Sequence, residues 1–214
     1  MFISIEGNVG AGKSTFLRSL QKKYPSFLVC EEDVAKWNTY TVDEMSILEA
    51  FYKNKEAHAF TLQMAILLSR VKTMIKHCNT DACVFVERSM FADTKVFCEM
   101  LNENKAIISD AQMNIVKDWV ETLSKLCKID MYIYLDISVD KCLDRVSKRN
   151  RPGETEISRE YLNDLHFKHQ EWFRKEDFDT PMIYLTDNDD EDIDRVIRFI
   201  ETHFPDALAS FKRT

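Results

Sequence analysis

The sequence predicts an α/β protein in which a parallel sheet is covered by helices on both faces. Five short runs of continuous hydrophobicity, typical of strands buried on both faces, lie at 1–5, 26–30, 82–86, 131–135 and 182–185. Helical patterns separate these runs, which favours parallel strands joined by crossover helices. Because 214 residues suffice for one core of this class, we predict a single domain over residues 1–214.

The helices follow from apolar residues that recur at helical spacing. The first contains Phe16, Leu17 and Leu20. The others are predicted at about 55–76, 90–101 and 109–127, then through 139–146, up to about 175, and through 193–200. Parallel strands place their carboxyl ends at one edge of a sheet, where α/β proteins bind ligands. We therefore expect the residues that follow the first three strands to meet in one cleft.

The residues after the first strand form a phosphate-binding motif. They match G-x-x-x-x-G-K-[ST] and are Gly7, Asn8, Val9, Gly10, Ala11, Gly12, Lys13, Ser14 and Thr15. Glycine backbone angles aim N–H groups at an anion, and the N-terminus of the following helix adds a favourable dipole. In this motif, Lys13 neutralises terminal phosphate charge and the Ser14 hydroxyl ligates Mg²⁺. The sequence thus predicts an ATP site with magnesium.

The composition argues against several classes of protein. A net charge of −7 disfavours a nucleic-acid partner, and no apolar run approaches the roughly 18 residues of a membrane span. The first strand begins too early to leave room for a targeting peptide. The six cysteines lack C-x-x-C spacing, which indicates reduced thiols. We expect a cytoplasmic protein without nucleic-acid or membrane partners.

Charged residues follow the second and third predicted strands. Glu32 is placed to take the proton of an acceptor hydroxyl, although Glu31 and Asp33 are adjacent carboxylates. After the third strand, Arg88 could hold either that carboxylate or the acceptor oxygen, and Glu87 could hold Mg²⁺ directly or through water. A base, cations and a phosphate cradle are the parts that phosphoryl transfer from ATP requires.

Three arginines lie across a later helix end and the turn that follows it. Arg145, Arg149 and Arg151 are separated by four and two residues, so they cannot all face one side of a helix. At least one should reach outward from the turn, which contains Pro152 and Gly153. The alternative is a solvated basic helix end. Beside a phosphate loop, the pattern favours a mobile lid at about 145–156 that closes on phosphates.

Two helices offer groups that suit a heterocyclic base. Gln63 and Arg70 lie seven residues apart on one face of the long helix. Asp93 and Phe97 lie four residues apart on the helix that follows Glu87. A carboxamide, a guanidinium, an acid and an aromatic face together can recognise a base by hydrogen bonds and stacking.

With these residues the chain resembles the family of deoxynucleoside kinases that are related to deoxycytidine, deoxyguanosine and mitochondrial thymidine kinases. The likeness runs from residue 2 to about 185 and rests on the phosphate motif, the 32–37 stretch, Gln63, the Glu87-Arg88-Ser89 triplet and the spacing of the lid arginines with Glu154. The resemblance implies a P-loop kinase fold and an ATP-dependent deoxynucleoside kinase, which transfers the γ-phosphate to a 5′-hydroxyl.

The resemblance also implies a role for each matched residue. Glu32 is the general base, and Arg88 steadies it. Trp37 and Phe97 flank the nucleoside, and Gln63 pairs with its base. Tyr52 and Glu154 form hydrogen bonds to the sugar 3′-hydroxyl. ATP is bound by Arg145, Arg149 and Arg151. Members of this family are usually homodimers that pack through helices.

Arg70 and Asp93 bear on the choice of base. Family members that accept deoxycytidine and purine deoxynucleosides carry Arg and Asp at these positions, whereas thymidine-favouring members carry small or apolar residues. An Arg–Asp pair narrows the space beside a pyrimidine 5-methyl group. We therefore expect deoxyadenosine, deoxyguanosine or deoxycytidine ahead of thymidine.

The chain departs from the family at one position. Where the family commonly has Glu-Pro-Val, this chain has Glu32-Asp33-Val34, so the fixed φ of proline is missing and a second carboxylate adjoins the proposed base. The position of Glu32 relative to Trp37 favours Glu32 as the base.

Three other functions compete with this interpretation. A nucleoside monophosphate kinase shares the sheet and the glycine loop but needs cations for the phosphate of its acceptor. A switch GTPase would need an Asn-Lys-x-Asp run, which the sequence lacks. A nucleotide-binding protein without turnover would bind ATP and yield no ADP with any nucleoside.

Overall fold

Five parallel strands form the central sheet, in the order β2, β5, β1, β6, β7. Their bounds are β1 Phe2–Gly7, β2 Leu28–Cys30, β5 Val84–Glu87, β6 Met131–Leu135 and β7 Met182–Leu185. The computed structural model describes residues 1–103, 107–125, 128–151, 154–175, 180–186 and 190–206. The parallel pairing of all five strands confirms the predicted fold class.

Helices pack around this sheet. They are α1 Lys13–Lys23, α2 Val34–Trp37, α3 Ile47–Lys53, α4 Lys55–His77, α5 Met90–Ala92, α6 Glu99–Glu103, α7 Asp110–Ser124, α8 Val139–Arg149, α9 Arg159–Lys175 and α10 Asp190–His203. A short 3₁₀ helix covers Glu154–Glu156. The long predicted helices therefore begin and end within a few residues of their expected bounds.

Strand β1 is the centre of the fold, and all six of its residues are buried. Ile3 pairs with Phe85 of β5 on one side and with Met131 of β6 on the other. Neighbouring strands and covering helices exclude water from both faces, which explains the continuous apolar run. Glu6 breaks that run, although it is fully buried. A buried carboxyl group needs polar partners, and those of Glu6 are described below.

A hairpin and two helices, α2 and α3, lie between β2 and α4 and were not predicted. Strands β3 (Thr41–Val42) and β4 (Met45–Ser46) pair antiparallel through a turn in which Asp43 and Glu44 have positive φ. The turn lacks glycine, so its sequence carries no strong hairpin signal. Helix α3 then begins with a capping box between Ser46 and Glu49, a signal that is present in the sequence.

The predicted helix at 90–101 is interrupted by a π-helix at Asp93–Cys98. Its wider turn lies between α5 and α6. Such turns are rare and occur often at functional sites. Here the segment carries Asp93 and Phe97, both of which line the cleft described next.

Some positions named above lie outside the described residues. They include the end of the predicted 109–127 helix, and Pro152 and Gly153 of the expected lid. Among the helices that the structure does describe, none combines the length and apolar character needed to cross a membrane.

Candidate active site

The loop between β1 and α1 has the backbone of a phosphate cradle. Gly7, Gly10 and Gly12 all have positive φ, which side-chain-bearing residues rarely adopt. A Cβ atom at Gly7 would lie 2.8 Å from the Leu135 carbonyl oxygen, and one at Gly10 would clash with the Cys142 carbonyl oxygen. The loop therefore requires glycine both for its conformation and for its close packing.

Lys13 is folded back over this loop. Its Nζ donates to the carbonyl oxygens of Asn8 at 2.9 Å and Gly7 at 3.2 Å, and it lies 4.0 Å from Glu87 Oε1. Burial, together with the nearby Arg88, lowers the pKa of Lys13 to about 8. The ammonium group thus sits at the junction of the loop and the charged residues that follow β5.

Ser14 and Glu87 form an oxygen pair at the start of α1. The Ser14 hydroxyl donates to Glu87 Oε2 at 2.9 Å. A hydroxyl and a carboxylate are ligands that Mg²⁺ accepts, and this ion usually keeps other positions for phosphate oxygens and water. The residues present therefore fit a magnesium ion bound together with ATP phosphates.

Glu32 is enclosed by two buried arginines. Its Oε1 accepts from Arg88 at 2.7 Å and from Arg70 at 2.8 Å. Arg70 also donates to Asp93 Oδ2 at 2.6 Å and to the Glu87 carbonyl oxygen at 2.8 Å. Arg88 donates to the Gly7 carbonyl oxygen at 3.0 Å. This network brings together the ends of β1, β2 and β5, which are the first three strands that the sequence predicted.

The charges of the two arginines control the ionisation of Glu32. Burial alone would raise the pKa of Glu32, but Arg88, Arg70 and Lys13 outweigh burial and hold the pKa well below its ordinary value. Glu32 is therefore a carboxylate throughout the neutral range, and it can accept a hydrogen bond or a proton.

The two acids that adjoin Glu32 are engaged elsewhere. Glu31 forms a two-point ion pair with the exposed Arg18 of α1. Asp33 is the N-cap of α2 and accepts from the Lys36 backbone N–H at 3.0 Å. Among these three acids, only Glu32 lines the cleft beside the phosphate loop. The N-cap also gives Asp33 a structural role at the position where the resembling family has proline.

A cleft opens beside Glu32. It is lined by all nine residues that the sequence associates with an acceptor, namely Glu32, Trp37, Tyr52, Gln63, Arg70, Arg88, Asp93, Phe97 and Glu154. Gln63 Oε1 and Trp37 Nε1 are buried without a hydrogen-bond partner in the described part of the chain. Arg88 lies over the Phe97 ring, 5.0 Å from its centre. The cleft thus offers unused polar atoms beside aromatic faces.

The expected lid arginines line a second cleft, which adjoins the first at Lys13 and Glu87. Arg149 and Arg151 pair with Glu154 at 2.7 and 3.2 Å, and both are about one-third exposed. Arg145 instead donates to the Ala11 carbonyl oxygen at 2.8 Å, within the phosphate loop. Two of the three arginines are therefore partly exposed and paired with Glu154, while Arg145 braces the loop.

The sequence interpretation missed several residues around the cleft. Leu48 and Phe51 line it from α3, a helix that was not predicted despite its capping box. Glu6 in β1 bonds to Ser89, the neighbour of the cleft residue Arg88. A charged residue in a buried strand was the feature of the sequence that could have identified it. Outside the cleft lining, the sequence interpretation also missed His169 of α9, which is fully buried and stacks on Tyr134.

Comparison with known proteins agrees with this geometry. Residues 3–205 match the family model described as deoxynucleoside kinase. Deoxycytidine kinase 2 of Gallus gallus is 32% identical over 91% of this chain and 84% of its own length. Deoxycytidine kinase of Homo sapiens is 32% identical over 86% of this chain and 79% of its own length. The mitochondrial deoxyguanosine kinase of Xenopus laevis is 25% identical over 81% of this chain and 73% of its own length. This chain belongs to the deoxynucleoside kinase family.

Proposed function

We propose that this protein transfers the γ-phosphate of ATP to the 5′-hydroxyl of a deoxynucleoside. One observation carries the proposal. The Glu32 carboxylate, held 2.7 Å from Arg88, lines a cleft that adjoins the phosphate loop at Lys13. A hydroxyl bound in that cleft would lie between a proton acceptor and the donor phosphate, which is the arrangement that phosphoryl transfer needs.

Glu32 acts by orientation as well as by proton transfer. Its low pKa makes it a weak base, so it has little driving force to remove a proton before the reaction begins. In a loose phosphoryl-transfer transition state, the acceptor needs alignment first, and its proton leaves late. Arg88 holds the Glu32 carboxylate in place for this task, and it offsets negative charge between acceptor and donor.

Ser14 and Glu87 would hold magnesium, Ser14 through its hydroxyl and Glu87 through its carboxylate. When bound, Mg²⁺ neutralises charge on the donor phosphates. Lys13 is positioned to exchange the carbonyl oxygens of Gly7 and Asn8 for a phosphate oxygen. That exchange would add a positive charge to the donor cradle without moving the backbone.

The acceptor cleft suits an uncharged nucleoside. Gln63 supplies an unused carboxamide oxygen for the base, and Trp37 and Phe97 supply aromatic faces. Tyr52 and Glu154 line the same cleft and would bind the sugar 3′-hydroxyl. A monophosphate acceptor is less well served, because Arg70 and Arg88 are already neutralised by acids. The nucleoside monophosphate kinase alternative is not favoured.

The Arg70–Asp93 pair favours deoxycytidine and purine deoxynucleosides over thymidine. Both side chains are buried and bound at 2.6 Å, so they form a rigid polar wall of the cleft. A wall of this kind leaves little room for a 5-methyl group and offers partners to exocyclic amino groups.

On the donor side, Arg149 and Arg151 would close on ATP as a lid within the single domain, with Arg145 bracing the loop.

A homodimer is also part of the proposal. Four large apolar side chains on α4 and α7, two helices that contact each other, are about half exposed: Leu68, Ile75, Ile115 and Trp119. Such a patch suits a second copy of the chain. The cysteine pattern and the composition support a cytoplasmic location.

An ATP-consumption screen tests the proposal. The purified protein is incubated with ATP and magnesium against the four deoxynucleosides, the four ribonucleosides, and the monophosphates dAMP and dTMP. We expect ADP with deoxynucleosides, a higher kcat/KM for deoxycytidine or a purine deoxynucleoside than for thymidine, and no turnover of the monophosphates. ATP binding without ADP production for any acceptor would reject the enzyme, and a preference for dTMP would favour the monophosphate kinase.

A further inference from the structure

The residue that precedes the phosphate loop has a position that the proposed reaction does not yet use. Glu6 lies at the end of the central strand β1 and is fully buried. Its Oε1 accepts three hydrogen bonds, from Ser4 Oγ at 2.7 Å, Ser89 Oγ at 2.8 Å and Ser89 N at 2.9 Å. Its Oε2 has no partner in the part of the chain that the structure describes. One oxygen atom thus ties β1 to the turn that follows β5.

That turn carries Arg88 in an unfavourable backbone conformation. The φ of Arg88 is 62°, in the left-handed region that residues other than glycine seldom enter. The surrounding structure must hold a strained residue of this kind in place. Two contacts from β1 do so, because the Arg88 N–H donates to the Ile5 carbonyl oxygen at 3.0 Å and the next N–H, that of Ser89, donates to Glu6.

The Ser89 hydroxyl bonds to Glu6 and does not cap the helix that follows it. Ser89 occupies the N-cap of α5, where a serine hydroxyl usually accepts from a backbone N–H of the first turn. In this structure it makes no such bond, and its hydroxyl donates to Glu6 instead. The carboxyl group of Glu6 therefore receives both donors of the residue adjacent to Arg88.

The backbone conformation determines where the Arg88 side chain points. From this turn the guanidinium reaches the Glu32 carboxylate at 2.7 Å and the Gly7 carbonyl oxygen at 3.0 Å. Relaxation of Arg88 to negative φ would redirect its side chain, and Glu32 would lose one of its two cationic partners. A small displacement of reacting groups is costly in phosphoryl transfer, since the protein contributes mainly alignment and charge.

We propose that Glu6 is a positioning residue for phosphoryl transfer, which holds Arg88 in its left-handed conformation through Ser89 and so aligns Arg88 with Glu32. The inference rests on the proposed function. Burial raises the pKa of Glu6, although bonds from Ser4 and Ser89 oppose the rise. Glutamine has nearly the same shape as glutamate and keeps the accepting oxygen, so Glu6→Gln should preserve the bonds to Ser89.

The test compares kcat and KM among variants around this oxygen. Glu6→Leu should lower kcat by about tenfold to a hundredfold with little change in either KM, because alignment is lost while substrate contacts remain. Glu6→Gln should restore most of the rate. Ser89→Ala should lower kcat, whereas the matched control Ser4→Ala, which removes a donor to the same oxygen without touching Arg88, should leave kcat nearly unchanged.

A double variant separates positioning from general damage. If Glu6 acts through Arg88, then Glu6→Leu should produce no further loss of kcat in an Arg88→Ala background. Multiplicative losses in the double variant would overturn the proposal, and so would equal effects of Ser89→Ala and Ser4→Ala. The serine pair keeps the proposal testable even where Glu6→Leu does not fold.

A crystal structure of Glu6→Gln and Glu6→Leu supplies a measurement that needs no activity. Arg88 should keep its positive φ in the first variant and lose it in the second. Retention of that conformation in Glu6→Leu would reject the positioning role, even for an active enzyme. If the unmodified protein phosphorylates no nucleoside, the proposed function is rejected. The crystal structures of the two variants would then still test whether Glu6 holds Arg88 in its positive-φ conformation.

Discussion

The cleft beside Glu32, which we propose binds the acceptor, and the second cleft, which we propose binds ATP, hold their arginines in different ways. We call them the acceptor cleft and the donor cleft. The side chains of Arg70 and Arg88 are only 7% and 5% exposed, and each is bound to several fixed acceptors. Those of Arg149 and Arg151 are 36% and 34% exposed and share the carboxylate of Glu154. The acceptor side is therefore preorganised without substrate, whereas the donor side retains freedom to rearrange around phosphates.

The energetic consequences differ in the same way. Removing one member of a buried, hydrogen-bonded ion pair leaves an unpaired charge and costs about 3–5 kcal/mol, whereas an exposed pair contributes about 0–1 kcal/mol. Arg88 adds backbone strain on the order of 1 kcal/mol, which its bonds must offset. Substitutions in the acceptor cleft should thus change both catalysis and stability, and those on the donor side should change mainly ATP binding.

The largest effect is expected at Glu32. Glu32→Gln removes the proton acceptor and one charge of the buried network, so kcat should fall by about a thousandfold while the chain still folds. The adjacent Glu31→Gln is the matched control, because Glu31 pairs with the exposed Arg18, and its kcat should stay near normal. Steady-state kinetics measures both variants. Near-normal turnover of Glu32→Gln would transfer the role to a neighbouring acid.

The donor side should respond differently. Arg151→Ala removes a partly exposed cation beside the phosphate loop and should raise the KM for ATP about tenfold, the loss expected for one charge-assisted bond. The KM for the nucleoside and the melting temperature should change little, since the pair with Glu154 is exposed to solvent on one side. A large fall in melting temperature would contradict the contrast between the two clefts.

The burial of His169 in α9 also predicts a pH dependence of stability. Burial lowers the pKa of His169 to about 3, and its Nδ1 lies 2.7 Å from the Leu165 carbonyl oxygen. The unfolded chain takes up a proton at this histidine near pH 6.5, and the folded chain does not. Stability conferred by the neutral ring is thus complete above that pH and is lost as the pH falls toward 3.

Between pH 7 and 5.5, this one histidine should lower the free energy of unfolding by about 1 kcal/mol. Denaturant melts at both pH values measure the loss, and His169→Gln should show a smaller loss than the unmodified chain. The comparison uses the change in the free energy of unfolding between the two pH values. Any effect of the substitution on stability that does not depend on pH therefore cancels. Equal slopes would show that His169 titrates normally in the folded protein.

The smallest effect is expected at Asp33, which adjoins Glu32 in the chain but lines neither cleft. Asp33→Ala removes the cap of the short helix α2 and should lower the free energy of unfolding by about 0.5 kcal/mol, while kcat is retained. Asp33→Asn keeps a capping oxygen and serves as the control. A large loss of kcat in Asp33→Asn would mean that the second carboxylate shares the work of Glu32.

The sheet and the phosphate loop could be predicted because their signals are local. Continuous apolar runs marked the buried strands, and the spacing of Gly7, Gly12, Lys13 and Ser14 marked the cradle. The rule that parallel strands end at one edge then brought Glu32 and Arg88 to the same place. These inferences needed no knowledge of packing.

The remaining features depend on contacts between distant residues. The positive φ of Arg88 follows from bonds to Ile5 and Glu6, more than eighty positions earlier in the chain. The engagement of Glu31 by Arg18 likewise requires α1 to pass beside the end of β2. The π-helix at Asp93–Cys98 has no sequence signal that we can name, and nothing in the structure explains why it forms there.

Trp37 gives the molecule a built-in optical reporter. Its indole is 5% exposed and lines the acceptor cleft, and its Nε1 has no hydrogen-bond partner among the described residues. Trp119 is about half exposed on α7 and Trp172 is buried in α9, so neither should respond strongly to occupancy of that cleft. Emission spectra of the unlabelled protein therefore offer a way to rank nucleosides and their analogues by affinity, before any coupled assay is assembled.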